Sequence, residues 1–372
     1  MFPPQVPHVF IRWLTKPGEV VYDPFSGRGT VSMEACRLGR IGLGSDANPL
    51  ACVLTAAKVD PPGEEEALSR LFALRRACVT ADPAQAPSEI QMLYHPNVLG
   101  QLLWLRDTLN STHRADRFLL ALLLGVLHAN YIPGLPPRGL SISMPNTFSM
   151  SAGYVRRYIQ EHGLVPPNID VFDLLEAKLK RIHLPPQSAA RGHAWCQDAR
   201  DTFPNTLRER PAKLVFTSPP YLSVIKYGKY NWVRLWMLKQ SPKAVDNRLV
   251  TTSSLLRYLQ FMQVVIDNLY FAIRDDGFLC LVIGDVRNRE TGSTINLAER
   301  VWEEVAHEGA WYRLAIINDR LPAQHKVSRI WKNSRGNATK TDRILVLAKC
   351  PLRGRELPVL GRIQWQPATH WA

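Results

Sequence analysis

Apolar residues recur with two different periods along the chain, and the change of period divides it into regions. Residues 1–60 begin with an amphipathic helical segment and continue as strand, glycine-containing loop, helix and strand. Residues 61–190 have helical spacing, interrupted at 133–153 by a segment rich in Pro, Ser, Gly and Asn. Strands alternate with helices again over 191–350. The predicted strands are 19–25, 40–45, 193–197, 213–217, 277–284, 311–317 and 342–349; the predicted helices are 5–16, 31–38, 64–78, 96–109, 114–128, 171–182, 255–273 and 297–308.

This alternation indicates the fold class. Seven strands, of which the first five alternate with helices, predict an α/β fold with a doubly wound, mostly parallel sheet. We expect residues 1–60 and 191–350 to form one domain. Residues 61–190 are then a helical insertion into that domain, and residues 351–372 are a C-terminal tail.

A glycine-containing loop, Asp23–Thr30 (DPFSGRGT), joins the first predicted strand to the following helix. Its glycines allow the backbone to approach a ligand closely. The acid before the loop would repel a pyrophosphate but suits a cation, and Ser32 replaces the third glycine of the dinucleotide motif GxGxxG. Asp46 and Asp198 end the next two strands, where they can accept hydrogen bonds from a ribose and from an adenine amine. Three acids at three strand ends favour a binding site for S-adenosylmethionine. The alternative is an ordinary βαβ turn with a capping acid.

A proline-containing segment, Thr217–Tyr221 (TSPPY), follows the fourth predicted strand. Two prolines remove two N–H donors, so the carbonyl groups here can act as acceptors. The Ser218 oxygen and the Pro219 carbonyl can then accept both N–H bonds of a nucleobase amine and direct its lone pair at a methyl group. Tyr221 offers a ring on which an extruded base can stack. The alternative is a proline-rich loop with a buried tyrosine.

The paired motifs DPFSGRGT and TSPPY resemble those of the amino-methylating DNA methyltransferases, which transfer methyl from S-adenosylmethionine to exocyclic base nitrogens. The resemblance extends to Phe2–Thr15, to the strand GFLCLVIGD and to the stretch YNWVRLW at 230–236. It implies a Rossmann-like methyltransferase fold whose last two strands form a hairpin-like pair. The serine at position 218 is more typical of the N4-cytosine enzymes than of the N6-adenine ones. By this resemblance the catalytic residues are Ser218, Pro219, Pro220 and Tyr221, and the cofactor residues are Phe2, Pro3, Asp23, Pro24, Phe25, Gly27, Gly29, Thr30, Asp46, Ala47, Asn48, Asp198 and Ala199.

Two segments and one arginine are candidates for DNA contact. The segment 320–341 holds six basic residues and no acid, and the resemblance places it at the active-site edge of the sheet. The segment 138–157 interleaves arginine with aromatic and amide side chains, which suits base recognition. The alternative for the segment 320–341 is a solvated basic loop. The alternative for the segment 138–157 is an ordinary connection between helices. The predicted DNA-binding residues are Asn146, Tyr154, Arg156, Arg157, Arg234, Lys326, Arg329, Trp331, Lys332 and Arg335.

Composition agrees with a polyanionic partner. The 372 residues carry 46 Lys+Arg against 32 Asp+Glu, a formal charge of +14. The six cysteines form no CxxC pair and the histidines no paired motif, so we expect no metal, no disulfide framework and a reducing cytoplasm. No apolar run reaches the ~18 residues of a membrane span, and the N-terminus does not resemble a secretory signal.

Together these features predict a methyltransferase that acts on N4 of cytosine in flipped bases of duplex DNA, with a cognate restriction endonuclease as a possible partner. Two alternatives stay open. One is the same chemistry on adenine N6 or on RNA. The other is a DNA-binding protein of this fold that has lost activity.

Overall fold

The structure is a computed structural model, and it describes residues 3–132, 134–136, 138–146, 148–184, 190–201, 205–220, 226–250, 252–287, 293–306, 311–320 and 338–351. Its strands are β1 Val20–Asp23, β2 Ile41–Asp46, β3 His193–Cys196, β4 Ala212–Thr217, β5 Ile273–Arg287, β6 Thr294–Ile295, β7 Tyr312–Arg320 and β8 Ala338–Ala348. Its α-helices are α1 Gln5–Leu14, α2 Thr30–Arg37, α3 Pro49–Val59, α4 Glu64–Ala77, α5 Ser88–Gln91, α6 Pro96–Thr108, α7 Arg114–Leu124, α8 Ala152–His162, α9 Val171–Leu179, α10 Asn205–Glu209, α11 Tyr227–Tyr230, α12 Trp232–Met237, α13 Pro242–Arg248, α14 Leu255–Ala272 and α15 Leu297–Val301.

One mixed sheet has the strand order β3-β2-β1-β4-β5-β8-β7, with β6 paired to β5. The pairs β1–β2, β2–β3, β1–β4 and β4–β5 are parallel, whereas β8 is antiparallel to both of its neighbours. The predicted Rossmann-like methyltransferase fold, with a mostly parallel sheet and a hairpin-like last pair, is confirmed. The strand order reverses between β1 and β4, so a crevice opens at their carboxyl ends, where α/β proteins bind ligands.

Alternating side chains of β1 explain how helices cover both faces of the sheet. Val20 and Tyr22 point to the face covered by α14 and α15, whereas Val21 points to the face covered by α1 and α2. At Gly42 of β2, a Cβ would lie 2.0 Å from the Ser32 carbonyl oxygen of α2. Only glycine therefore lets α2 pack this closely on the sheet.

Residues of the insertion form most of one apolar cluster, which also includes Leu50 and Ala57 of α3. Buried residues of α4, α6, α7 and α9 form one cluster, and α12 contributes Val233, Leu235 and Met237 to it. The segment around α12 thus packs on the insertion although it follows β4 in the chain. Within the described residues, no helix has the length and apolar composition that crossing a membrane requires.

Several elements differ from the sequence-based prediction. Residues 152–157, which lie in the segment 138–157 predicted as a loop, belong to α8. The helix α3 was not predicted, because its apolar residues surround it without a clear stripe and Pro49 stands at its first turn. The strand β5 begins at Ile273, directly after α14, and not at 277.

Candidate active site

The two sequence motifs meet at the carboxyl ends of β1 and β4. The Thr217 hydroxyl, directly before the SPP segment, donates to Asp23 Oδ1 over 2.5 Å. The Phe25 backbone N–H donates to the same oxygen over 3.1 Å. Asp23 is 3% exposed, and burial raises the pKa of its carboxyl to about 7. A single buried acid therefore ties the glycine loop to the SPP segment.

The glycine loop is a tight turn in which two positions favour glycine. Gly27 and Gly29 have φ values of 52° and 75°, in the left-handed region. A Cβ on Gly29 would also lie 2.9 Å from Cα of Thr55 on α3. The Gly29 N–H donates to the Ser26 carbonyl over 2.7 Å and closes the turn. The absent side chain of Gly29 thus lets the loop pack closely against α3, and Thr30 begins α2.

The carboxylate of Asp46 holds this loop from the end of β2. Its two oxygens accept the backbone N–H groups of Gly27 and Asn48, each over 2.9 Å. Burial raises the pKa of Asp46 to about 6. Each oxygen keeps a second lone pair for a ligand hydroxyl. Sequence analysis predicted the ligand contact but not the bonds that position the loop.

Asp198 lies just beyond β3 and forms an ion pair with Arg200. The backbone N–H and Nε of Arg200 donate to Oδ1, each over 2.9 Å, and Nη2 donates to Oδ2 over 2.7 Å. Burial acts to raise the pKa of Asp198, but these bonds outweigh burial and the pKa is lowered. A ligand amine would share Asp198 with Arg200, which the sequence did not indicate. Ala199 beside it is buried.

The hydroxyl of Ser218 is oriented by the neighbouring strand. Ser218 Oγ donates to the Val282 carbonyl of β5 over 3.1 Å. With its proton directed at the sheet, the Ser218 oxygen can act towards a substrate N–H only as an acceptor. Pro219 is buried and Pro220 is half-buried. Tyr221, the predicted stacking residue, lies outside the described residues.

The remaining predicted cofactor residues surround this edge or lie outside the described residues. Pro24 is buried, Ala47 is half-buried, and the ring of Phe25 packs 6.0 Å from that of Phe261. Asn48 caps α3, accepting the Leu50 N–H over 3.1 Å. Pro3 precedes α1, and its carbonyl accepts the Val6 N–H. Phe2 lies outside the described residues.

One aromatic residue that the sequence did not single out approaches the site. Burial raises the pKa of Tyr227 on α11, and the negative charge of Asp46 adds to this effect. The cation of Arg28, in the glycine loop, acts in the opposite direction. These charges act on the Tyr227 hydroxyl although it is distant from them in the chain, and the residue is 40% exposed. A lone tyrosine in an aromatic-rich stretch carries no sequence signal for this placement.

The predicted DNA-binding residues that the structure describes divide into buried and exposed groups. The Arg234 guanidinium is buried: Nε donates to the Leu124 carbonyl over 3.0 Å, and Nη2 donates to the carbonyl and the side-chain oxygen of Asn146. Burial lowers the pKa of Arg234 to about 10. In this arrangement Arg234 holds the Asn146 loop against α7 and does not face solvent, contrary to the expectation for a phosphate contact.

The exposed group lies on α8 and not on a loop as predicted. Tyr154 stacks on Tyr158, with ring centroids 5.9 Å apart. Arg156 is 3.8 Å from Glu89, and Arg157 is exposed. The other predicted DNA-binding residues, Lys326, Arg329, Trp331, Lys332 and Arg335, lie outside the described residues.

The geometry fits S-adenosylmethionine. Gly27 and Gly29 shape a tight turn at the end of β1, and Asp46 offers lone pairs at the adjoining strand end. The two meet in the crevice where the strand order reverses. The chain therefore has the residues that could hold a cationic nucleoside.

Comparison with known proteins supports this assignment. Residues 1–57 match the DNA methylase family model N6_N4_Mtase. The matched segment contains Asp23, the glycine loop and Asp46. These are among the residues that the sequence predicted to bind S-adenosylmethionine. No curated protein matches the chain in sequence.

Structural likeness is partial. TrmN from Thermus thermophilus is 11% identical, over 94% of this chain and 49% of that chain, with a TM-score of 0.33. The rRNA methyltransferase aviRa from Streptomyces viridochromogenes is 13% identical over 94% and 86%, with a TM-score of 0.32. A Thermus thermophilus chain described as a DNA modification methylase is 18% identical over 41% and 51%, with a TM-score of 0.24. This chain thus spans about half the length of the first and third.

Proposed function

We propose that this chain transfers a methyl group from S-adenosylmethionine to an exocyclic amine of a base in duplex DNA, with N4 of cytosine as the acceptor. The observation that carries this proposal is the bond from Thr217 to Asp23, because it joins the glycine loop to the SPP segment. A cofactor loop and an amine-accepting segment at one edge of a sheet are what such a transfer requires. The match of residues 1–57 to a DNA methylase family supports it.

The cofactor would lie along the ends of β1, β2 and β3. When bound, it supplies an electrophilic methyl group on a sulfonium. Asp46 would accept a ribose hydroxyl through its remaining lone pairs, and Gly27 and Gly29 would keep the loop open beside the ligand. The buried Asp23 holds the loop at a set distance from β4. These residues orient the methyl group and exclude water from it.

Ser218 and Pro219 would bind the acceptor amine. Its lone pair is conjugated into the base, so the free amine is a poor nucleophile. The Ser218 oxygen, whose proton is directed at Val282, and the Pro219 carbonyl would each accept one amine N–H. These two bonds favour a tetrahedral nitrogen whose lone pair points away from both acceptors. Alignment of that lone pair with the methyl carbon then supplies much of the rate.

The target base would leave the helix to reach this edge. A base inside a duplex cannot expose its amine to a crevice between strand ends, so the proposal includes base flipping, with Tyr221 as the stacking residue. The net charge of +14 supports attraction to the phosphate backbone. Arg157 and Tyr154 on α8 are proposed contacts from the insertion, and the basic segment 320–341 supplies the others.

Incorporation of labelled methyl groups into defined duplexes tests the proposal. The purified chain is incubated with labelled S-adenosylmethionine and duplex DNA, and the DNA is digested to nucleosides. We expect N4-methylcytosine. Methyladenine alone would overturn the cytosine assignment, and labelling of RNA but not DNA would overturn the substrate class.

Two serine variants separate the role of Ser218 in methyl transfer from the effect of replacing any serine with alanine. We expect Ser218→Ala to lower methyl transfer by roughly 100-fold, the order of one lost transition-state hydrogen bond, with cofactor affinity nearly unchanged. Ser253→Ala, at an exposed position, is the matched control. Full activity in Ser218→Ala would contradict the role given to this serine.

A further inference from the structure

Two thiols from different elements line a cavity of about 310 Å³ between α3, the edge strand β3 and the insertion. Cys52 lies on α3 and Cys196 ends β3. Cys196 pairs with Asp46 in the parallel register of β2 and β3. The Cys52 thiol donates to the Asp46 carbonyl over 3.1 Å. Both thiols therefore adjoin the same residue of β2.

The two thiols differ in exposure and acidity. Cys196 is exposed, and its interaction with Cys52 lowers the pKa of Cys196 to about 7. Cys52 is 8% exposed, and that interaction together with burial raises its pKa. Oxidants attack accessible thiolates, and a second thiol nearby converts the product into a disulfide. An accessible thiol therefore stands beside a buried partner.

The other four cysteines lack this combination, and Cys350 is not among the residues that line the cavity. Burial raises the pKa of Cys36, Cys78 and Cys280. Cys280 is also fully buried in β5. The cavity at the sheet edge is consequently the place where we expect an oxidant to react first.

We propose that Cys196 and Cys52 form an oxidation site, in which a hydroperoxide converts the two thiols into a disulfide. The Cys196 thiolate attacks a peroxide oxygen: the S–O bond forms, the O–O bond breaks, and the leaving oxygen takes up a proton. Cys52 then attacks the sulfur of the sulfenic acid: the S–S bond forms, the S–O bond breaks, and water leaves. The thiols lose two electrons, and hydrogen peroxide is reduced to two waters.

Oxidation would also alter the proposed cofactor edge, a step that rests on the proposed function. In the disulfide, Cys52 no longer donates to the carbonyls of Asp46 and Asn48, which it contacts over 3.1 and 3.2 Å. The carboxylate of Asp46 and the backbone of Asn48 belong to that edge. We expect cofactor affinity to fall roughly fivefold, the equivalent of about one hydrogen bond.

Mass spectrometry of the full chain tests the site independently of activity. The reduced protein is treated with hydrogen peroxide near neutral pH and digested with trypsin. We expect a crosslink between the peptide containing Cys52 and that containing Cys196, removed by dithiothreitol. In Cys52→Ser, dimedone should instead trap a sulfenic acid at Cys196. Crosslinking in Cys350→Ser should be unchanged. A crosslink through other cysteines, or Cys196 oxidised no faster than Cys78, overturns the proposal.

Calorimetry with S-adenosylhomocysteine separates the two proposals. Weaker binding in the oxidised chain, reversed by dithiothreitol, supports the coupling. Equal binding in both states overturns the coupling. If the crosslink forms but neither state binds the probe, the proposed function fails while the oxidation site stands.

Discussion

The Thr217 hydroxyl donates to the Asp23 carboxylate over 2.5 Å, across an interval of 194 residues. Both residues are buried, Thr217 at 0% and Asp23 at 3% exposure. The bond spans β1 and β4, the two strands between which the sheet order reverses. It therefore fixes the distance between the glycine loop and the SPP segment at the crevice.

Removal of this hydroxyl should loosen the site. Thr217→Val keeps the shape of the side chain but leaves Asp23 without one of its donors. We expect the free energy of unfolding to fall by about 1–3 kcal/mol, the cost of an unsatisfied buried polar group. Methyl transfer should fall as well, since the two loops lose their link. Urea denaturation and the labelling assay measure these effects, with the exposed Thr80→Val as control; wild-type stability in Thr217→Val would contradict the role of the bond.

The stability of the protein should depend on pH through Asp23. Burial raises the pKa of Asp23 from 3.8 to about 7, so the folded state binds a proton more tightly than the unfolded state. The resulting stabilisation is complete below pH 3.8 and is lost as the pH rises through about 7. Asp46, with a pKa of about 6, acts in the same direction over a narrower range.

Asp23→Asn isolates this contribution. The asparagine oxygen can still accept the bond from Thr217, but the side chain cannot titrate. Urea denaturation from pH 4 to 8 should show a weaker decline in stability for Asp23→Asn than for the wild type. The exposed Asp107→Asn should keep the wild-type slope. Parallel curves for all three proteins would show that Asp23 is not the titrating group.

Asp46 should be more sensitive to amide substitution than Asp23. Its two oxygens accept separate backbone N–H groups, from Gly27 and Asn48. An asparagine offers only one acceptor, and its NH₂ group would face the other N–H. We expect Asp46→Asn to lose about 1–3 kcal/mol of stability and to bind S-adenosylhomocysteine at least ~10-fold more weakly. Calorimetry against Asp107→Asn checks this, and unchanged affinity would remove Asp46 from the cofactor site.

The sequence predicted the meeting of the two motifs because parallel strands that flank a reversal of order end at the same sheet edge. It did not predict the bonds that position Asp46 and Asp198, since they come from backbone N–H groups and from Arg200, which have no sequence signature. The helix α8 was missed because its first residues were assigned to the preceding segment rich in Pro, Ser, Gly and Asn, although Val155 and Ile159 repeat at helical spacing. The roles of Tyr221 and of the basic segment 320–341 stay predictions.

Two arginines of the predicted DNA-binding set should give opposite results. Arg234 is buried and bonded to Leu124 and Asn146, whereas Arg157 is exposed on α8. We expect Arg157→Gln to leave stability unchanged and to weaken DNA binding, with the slope of log affinity against log salt reduced by about 1, because one phosphate contact is lost. DNA binding measured from low to moderate salt checks the slope.

Arg234→Gln should instead destabilise the insertion. The shorter side chain cannot bridge α7 and the Asn146 loop, so buried carbonyl groups lose their donors at about 1–3 kcal/mol. The salt slope for DNA binding should stay at the wild-type value, because a guanidinium with 7% exposure neutralises no phosphate. A reduced slope with wild-type stability in Arg234→Gln would show that this arginine leaves its buried position to contact DNA.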